Sequence, residues 1–134
     1  MDTASLFALA LEASRASYSP YSRFRVGAAL VAADGSVFTG ANVENRSFGL
    51  TICAERSALV AAISAGHRGF STIAIATPDS KGPVSPCGAC RQVLSEFMAP
   101  EAQVTFGASC NELVETTIGG LFPFDALHDL KGTF

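Results

Sequence analysis

The sequence predicts an α/β domain of three layers, α/β/α, built around a mixed sheet. Three observations carry this. Apolar residues recur at helical spacing in separate segments. Asp34-Gly35 stands between two apolar runs, the mark of a tight turn joining antiparallel strands. Beyond that hairpin, helical and strand-like segments alternate, which requires crossover connections and hence a parallel part of the sheet.

The elements follow in order. From Thr3 to Ala16, Leu6, Leu9, Ala10 and Ala13 share one helical face, and Tyr18-Ser19-Pro20 ends that helix. Phe24 to Ala32 is an apolar run around Val26, Ala28, Leu30 and Val31 and reads as a buried strand; Val37 to Gly40 returns as its partner. Ala54 to Ala65 is a helix closed by Gly66. Thr72 to Ala76 is a short β-branched strand, followed by a loop with Pro78, Gly82, Pro83 and Pro86. Gly88 to Met98 is a buried helix stopped by Pro100, and Gln103 to Phe106 is a further strand. A short helix is expected near Asp125 to Leu130. One domain spanning 1–134 accommodates all of this, with no linker, repeat or low-complexity tract.

Composition narrows the function. The chain is 49% hydrophobic and 16% charged, enough apolar matter for a sizeable core and unlike a disordered segment. The formal net charge is −3 and its nine basic residues are scattered, which argues against a nucleic-acid partner, since phosphate contacts need a basic stripe. No run is long and apolar enough to span a membrane, and Met1-Asp2-Thr3-Ala4-Ser5 lacks a basic leader, so the expected compartment is the cytoplasm. Disulfides are rare there, and the four cysteines Cys53, Cys87, Cys90 and Cys110 need another account: metal, redox chemistry or burial.

Cys53-Ala54-Glu55 opens one predicted helix, and Pro86-Cys87-Gly88-Ala89-Cys90 opens the next. Free N–H groups in a helix's first turn stabilise thiolates, so the Cys-x-x-Cys pair suits one metal, or equally a redox dithiol. Cys53 would complete a set of three thiolates if the two helix starts lie side by side. Three protein ligands leave tetrahedral zinc a fourth position for water, the arrangement of catalytic sites. Glu55 then stands beside the metal as a carrier of protons between that water, a ring nitrogen and a leaving amine.

These residues match the signature of zinc-dependent deaminases in its all-cysteine form, Cys53-x-Glu55 with Pro86-Cys87-x-x-Cys90. The chain resembles the small cytidine deaminases over nearly its whole length. Tyr21 to Ala29 is similar to that family's first strand, Asn42-Val43-Glu44-Asn45 to its ribose-binding stretch, and Cys53-Ala54-Glu55-Arg56 and Pro86 to Leu94 to its two zinc helices.

The resemblance implies a mixed five-stranded sheet, one Zn2+ per chain on Cys53, Cys87 and Cys90, and Glu55 as the catalytic residue. It implies that Phe24 packs on the pyrimidine, that Asn42 and Glu44 hold the ribose hydroxyls, and that Ala54 also contacts the nucleoside. Hydrolysis of cytidine and deoxycytidine, in pyrimidine salvage, is the implied reaction. The family's all-cysteine members are typically homotetramers, which suits the apolar composition; Phe48 and Phe124 are the candidate cross-subunit residues. Phe48 stands where a tyrosine is common, and the tail from Gly119 to Phe124 departs from the family's ending.

Zinc with three thiolates carries a formal −1, and Arg56 is the nearest charge to offset it, helped by the two helix N-termini. Three rival readings stand beside this one. Blasticidin S deaminase has a similar zinc core, but Phe24, Asn42 and Glu44 favour a plain nucleoside. A structural four-cysteine zinc module would need Cys110 as its closing ligand and leaves Glu55 without a role. A thiol–disulfide enzyme would use Cys87 and Cys90 alone. His67 and His128 have no metal-like spacing, and no role is assigned to either.

Overall fold

The computed structural model describes residues 1–127, so His128 and the end of the helix expected at Asp125–Leu130 lie outside it. Helix α1 (Thr3–Ala13) is capped by the Asp2 carboxylate, which accepts from the Ser5 N–H, and passes into a 3₁₀ turn at Ser14–Ala16. Then follow β1 (Gly27–Ala32), β2 (Val37–Ala41), α2 (Ala54–Ser64), β3 (Phe70–Ala76), α3 (Gly88–Phe97), β4 (Met98–Ser109), β5 (Glu112–Thr117) and α4 (Ile118–Leu121). The five strands form one sheet in the order β2-β1-β3-β4-β5. The β3–β4 pair is parallel and the other three pairs are antiparallel. This is the mixed sheet expected.

Strand alternation divides the core between the two faces. Ala29, Ala74 and Ala76 pack under α1 against Leu6, Phe7 and Ala10. Ala28, Leu30, Ile73, Ile75 and Val104 point the other way, against Ala58, Leu59 and Ala62 of α2 and Leu94 of α3. The small residues set the spacing. A Cβ at Gly40 would stand 2.4 Å from the Ala58 nitrogen, so β2 carries α2 in direct backbone contact there.

The topology places the site. β2 and β3 flank β1 and are both antiparallel to it, so they run the same way. Chain leaving their C-terminal ends therefore emerges at one edge of the sheet. α2 begins after β2 and α3 after β3, which brings both helix N-termini to that edge, where α/β sheets commonly bind ligands.

Three departures from the sequence expectations have physical causes. The first strand starts at Gly27, not Phe24. The ladder stops because the Asn42 carbonyl turns away to accept from the Tyr18 N–H at 3.0 Å, while its side-chain Oδ1 takes over and accepts from the Val26 N–H at 3.0 Å. Strand β4 begins at Met98 and passes through Pro100, which is tolerated because the β3–β4 register is interrupted between Phe70 and Thr72. The fifth strand implied by the resemblance is β5, which, like helix α4, was not located in the residues. β5 is an edge strand with two glutamates, and α4 contains Gly119-Gly120, both poor local signals. Asp125–Leu127 form no helix.

Candidate active site

Cys53 is the N-cap of α2 and Cys87 the N-cap of α3. The Cys87 sulfur accepts from the Cys90 N–H at 3.4 Å, so the first turn of α3 folds around it. Cys53 Sγ and Cys87 Sγ are 3.9 Å apart, and all three sulfurs lie within 4.8 Å of one another. With metal–sulfur bonds of about 2.3 Å, the edge of a tetrahedron is about 3.8 Å. The donor set, its spacing and the two helix N-termini fit zinc, and Cys53, Cys87 and Cys90 are the residues that would hold it. Cys110 lies in the β4–β5 turn beside Asn111 and is not part of the cluster.

Electrostatics favour thiolate here. The Cys53 thiol is pulled down to about 5, first by a hydrogen bond from Cys90 and then by the Arg56 guanidinium. Cys90 is pushed up by that same bond to Cys53 and by burial. Arg56 Nη2 donates to Cys53 Sγ at 3.2 Å. Glu55, one residue into α2, is 4% exposed, and burial raises its carboxyl above the ordinary range. A buried carboxyl poised to hold or release a proton is suited to acid–base work.

A cavity of about 190 Å³ opens over these groups. It is lined by Phe24 and Val26 ahead of β1, by Asn42 and Thr51, by Cys53, Ala54 and Glu55, and by Thr77, Val84, Ser85 and Cys87 on the far side. A second cavity, of about 350 Å³, is lined by Tyr21, Ser22, Glu44, Phe48 and Thr51. Thr51 lines both, so the two adjoin. The predicted residues thus divide. Phe24, Asn42, Ala54 and Glu55 line the inner space; Glu44 and Phe48 line the outer.

Each wall is fastened by its own bonds. The Asn42 side chain is 7% exposed; besides Val26 N–H it accepts from the Ser17 hydroxyl, and its Nδ2 donates to the Phe24 carbonyl at 2.8 Å. The Glu44 carboxylate accepts from the N–H groups of Tyr21 and Ser22 at 3.0 and 3.1 Å and from the Ser22 hydroxyl, and the Ser22 bonds foremost hold it below the usual carboxylate range. Phe48 meets Tyr21 edge-on, with centroids 5.7 Å apart, and is itself exposed. Phe124 is 90% exposed and lines neither cavity.

Sequence reasoning missed several contributors. Thr51, Val84 and Ser85 line the cavity from irregular segments that carry no motif. Arg25 was passed over inside an apolar run. Its guanidinium grips Asp79 twice, at 2.7 and 3.0 Å, and its N–H adds a third bond at 2.8 Å. That clamp joins the Phe24 side of the cavity to the loop after β3. The backbone at Arg23 has φ 57, a left-handed turn that re-aims the chain just before Phe24.

Comparison with known proteins agrees with this geometry. The family model described as the cytidine and deoxycytidylate deaminase zinc-binding region matches residues 2–106. A cytidine deaminase of Halalkalibacterium halodurans is 49% identical over 123 residues, 92% of each chain. One of Sporosarcina psychrophila is 45% identical over 123 residues, 92% of this chain and 90% of that one. The crystal structure of a cytidine deaminase from Burkholderia pseudomallei superposes with a TM-score of 0.88 at 45% identity, covering 92% of this chain and 98% of the other. Converging thiolates at two helix starts, a buried glutamate between them and these matches have one explanation: the chain belongs to the cytidine and deoxycytidylate deaminase family.

Proposed function

We propose that this chain, acting as one catalytic domain, hydrolyses cytidine and deoxycytidine to uridine and deoxyuridine with release of ammonia. The observation that carries the proposal is Glu55, buried two residues after Cys53 of the thiol cluster and lining the same cavity as Cys53, Cys87 and Phe24. When bound, zinc lowers the pKa of a coordinated water to about 7. Glu55 takes the proton that this water gives up and delivers it to the ring nitrogen next to the amino-bearing carbon. That carbon's new bond to the water oxygen replaces its bond to the amine: Glu55 takes the second proton from that oxygen, which becomes the carbonyl, and passes it to the amine, which leaves as ammonia. The buried position keeps the carboxyl able to hold a proton between these transfers.

Phe24 faces the pyrimidine, and Ala54 lines the space where its polar edge must lie. The ribose lies where the two cavities adjoin, with Asn42 reading its hydroxyls from the inner side and Glu44 from the outer; a carboxylate accepts two O–H bonds at once. Arg56 offsets the excess negative charge of a three-thiolate site.

The assembly is a homotetramer, and the setting is pyrimidine salvage in the cytoplasm. Support for association comes from the exposed Tyr18, Tyr21, Val43, Phe48, Leu50 and Ile52, which neighbour one another: Tyr18 bridges to Val43, Val43 to Ile52, and Tyr21 meets Phe48. Phe48 and Phe124 are the residues offered to neighbours. Among the described residues, no helix is long and apolar enough to cross a membrane.

The test is an ultraviolet assay of cytidine and deoxycytidine with the zinc-loaded protein and with Glu55→Gln. The wild type is expected to turn over both nucleosides. Glu55→Gln is expected to keep its zinc and lose about 10²- to 10⁴-fold in kcat. Turnover of blasticidin S in place of cytidine, or full activity in Glu55→Gln, would overturn the proposal.

A further inference from the structure

We infer that Arg91 is a positioning residue that ties the turn bearing Cys87, and the cavity wall before it, to the C-terminal strand–helix unit. The inference rests on the deaminase reading, because it takes Cys87 as a metal ligand.

Residues 83–87 have neither helical nor strand structure, so no helix or strand bonding sets the path by which the chain enters α3 ahead of the Cys87 N-cap. Arg91 supplies the missing constraint. Its N–H donates to the Cys87 carbonyl at 3.0 Å, as the first turn of α3 requires. Its side chain then folds back. Nε donates to the Pro86 carbonyl at 2.8 Å and Nη2 to the Ser85 hydroxyl at 2.9 Å. The third arm, Nη1, reaches the Leu121 carbonyl at 2.7 Å.

Each acceptor matters separately. Pro86 is buried and precedes the N-cap, so α3 does not bond its carbonyl; an unmade bond there is costly. Ser85 lines the inner cavity beside Val84 and Cys87. Leu121 ends α4, whose last carbonyls have no helical partner. One planar guanidinium therefore joins the cavity wall, the metal-ligand turn and a helix 30 residues away. α4 is in turn held by Thr117, whose hydroxyl accepts from the Gly120 N–H at 3.0 Å. Arg91 donates to no cysteine sulfur and lines neither cavity, so it acts through Ser85, Pro86 and Cys87.

The experiment compares zinc-loaded wild type with Arg91→Met, Arg91→Lys and Thr117→Val. Zinc release to a chromophoric chelator and KM and kcat for cytidine are measured well below the unfolding temperature, and Tm is measured separately by thermal unfolding. Arg91→Met is expected to release zinc about 10- to 100-fold faster and to raise KM. Arg91→Lys is expected to behave like Arg91→Met, since a compact ammonium lacks the rigid fork that reaches three acceptors at once. Thr117→Val, which leaves Arg91 intact and carries the test should Arg91→Met not fold, is expected to shift zinc release and KM the same way. It should add little on top of Arg91→Met.

A lower Tm with unchanged zinc release and KM in Arg91→Met would overturn the inference. So would full rescue by lysine, which would make charge alone responsible, or strict additivity with Thr117→Val, which would cut the link to α4. Absence of both zinc and turnover in the wild type would sink the deaminase reading and this inference with it. Loss confined to the variants' zinc retention and KM supports both.

Discussion

Cys53 Sγ lies 3.9 Å from Cys87 Sγ, although 34 residues separate them in the chain. That is the sulfur–sulfur spacing of a tetrahedral metal site, and Cys90 completes the triad. Cys53→Ser is therefore expected to lose stoichiometric zinc and all deamination. Cys110→Ser is expected to keep one zinc per chain and normal turnover, because Cys110 sits apart in the β4–β5 turn. Metal analysis of the two purified variants decides. Zinc lost from Cys110→Ser would restore the structural four-cysteine reading.

Arg56 donates to the Cys53 sulfur at 3.2 Å, and its Nε is buried without a partner among the described residues. We propose that its charge offsets that of the three-thiolate set. We expect Arg56→Ala to retain zinc and to lose roughly 10- to 100-fold in kcat. Turnover equal to wild type would remove Arg56 from the mechanism.

Asn42 uses its amide in both directions: Oδ1 accepts from Val26 N–H and Nδ2 donates to the Phe24 carbonyl. Asn42→Asp keeps the acceptor and turns the donor into a second oxygen facing that carbonyl. We expect a stability loss of about 1–3 kcal/mol in urea unfolding, together with a raised KM as Phe24 shifts. A raised KM with unchanged stability would assign Asn42 to substrate alone.

The Arg25–Asp79 clamp predicts a pH dependence. Bonds from Arg25 hold the Asp79 carboxyl at about 2, against an ordinary 3.8. A carboxyl lowered by folding stabilises the fold fully above its unfolded value, and that contribution disappears as pH falls through the folded value. Both side chains are partly exposed, so the contribution is about 1 kcal/mol at most. Urea unfolding of wild type and Asp79→Asn should differ by that amount near pH 6, and the gap should close between about pH 4 and pH 2. A gap that persists at pH 2 would show that the aspartate acts through something other than its charge.

Legibility in the sequence followed how local each cause was. The starts of α2 and α3 were readable because Cys53, Glu55, Pro86, Cys87 and Cys90 sit within two short motifs beside helix signals. The hairpin was readable from Asp34-Gly35. Phe24 was misplaced into a strand because its true conformation depends on Asn42, 18 residues away, whose side chain replaces a main-chain acceptor. β5 and α4 escaped notice because an exposed edge strand lacks a clean alternation and a Gly-Gly pair does not announce a helix. Arg25 and Arg91 looked like ordinary cations, and their partners are set only by the packed fold.

The sequence by itself determined the chemistry available: three thiol ligands, a carboxylate one residue inside a helix and an arginine after it. These are properties of residue type and of spacing along one chain. Only the tertiary structure decided that they meet. β2 and β3 run the same way on either side of β1, so two helices far apart in sequence begin at one sheet edge. Their N-termini carry free N–H groups and positive dipole ends, which is what lets closely spaced thiolates share so small a volume. No short-range pattern encodes that approach, because it arises from strand direction and from the burial of both sheet faces.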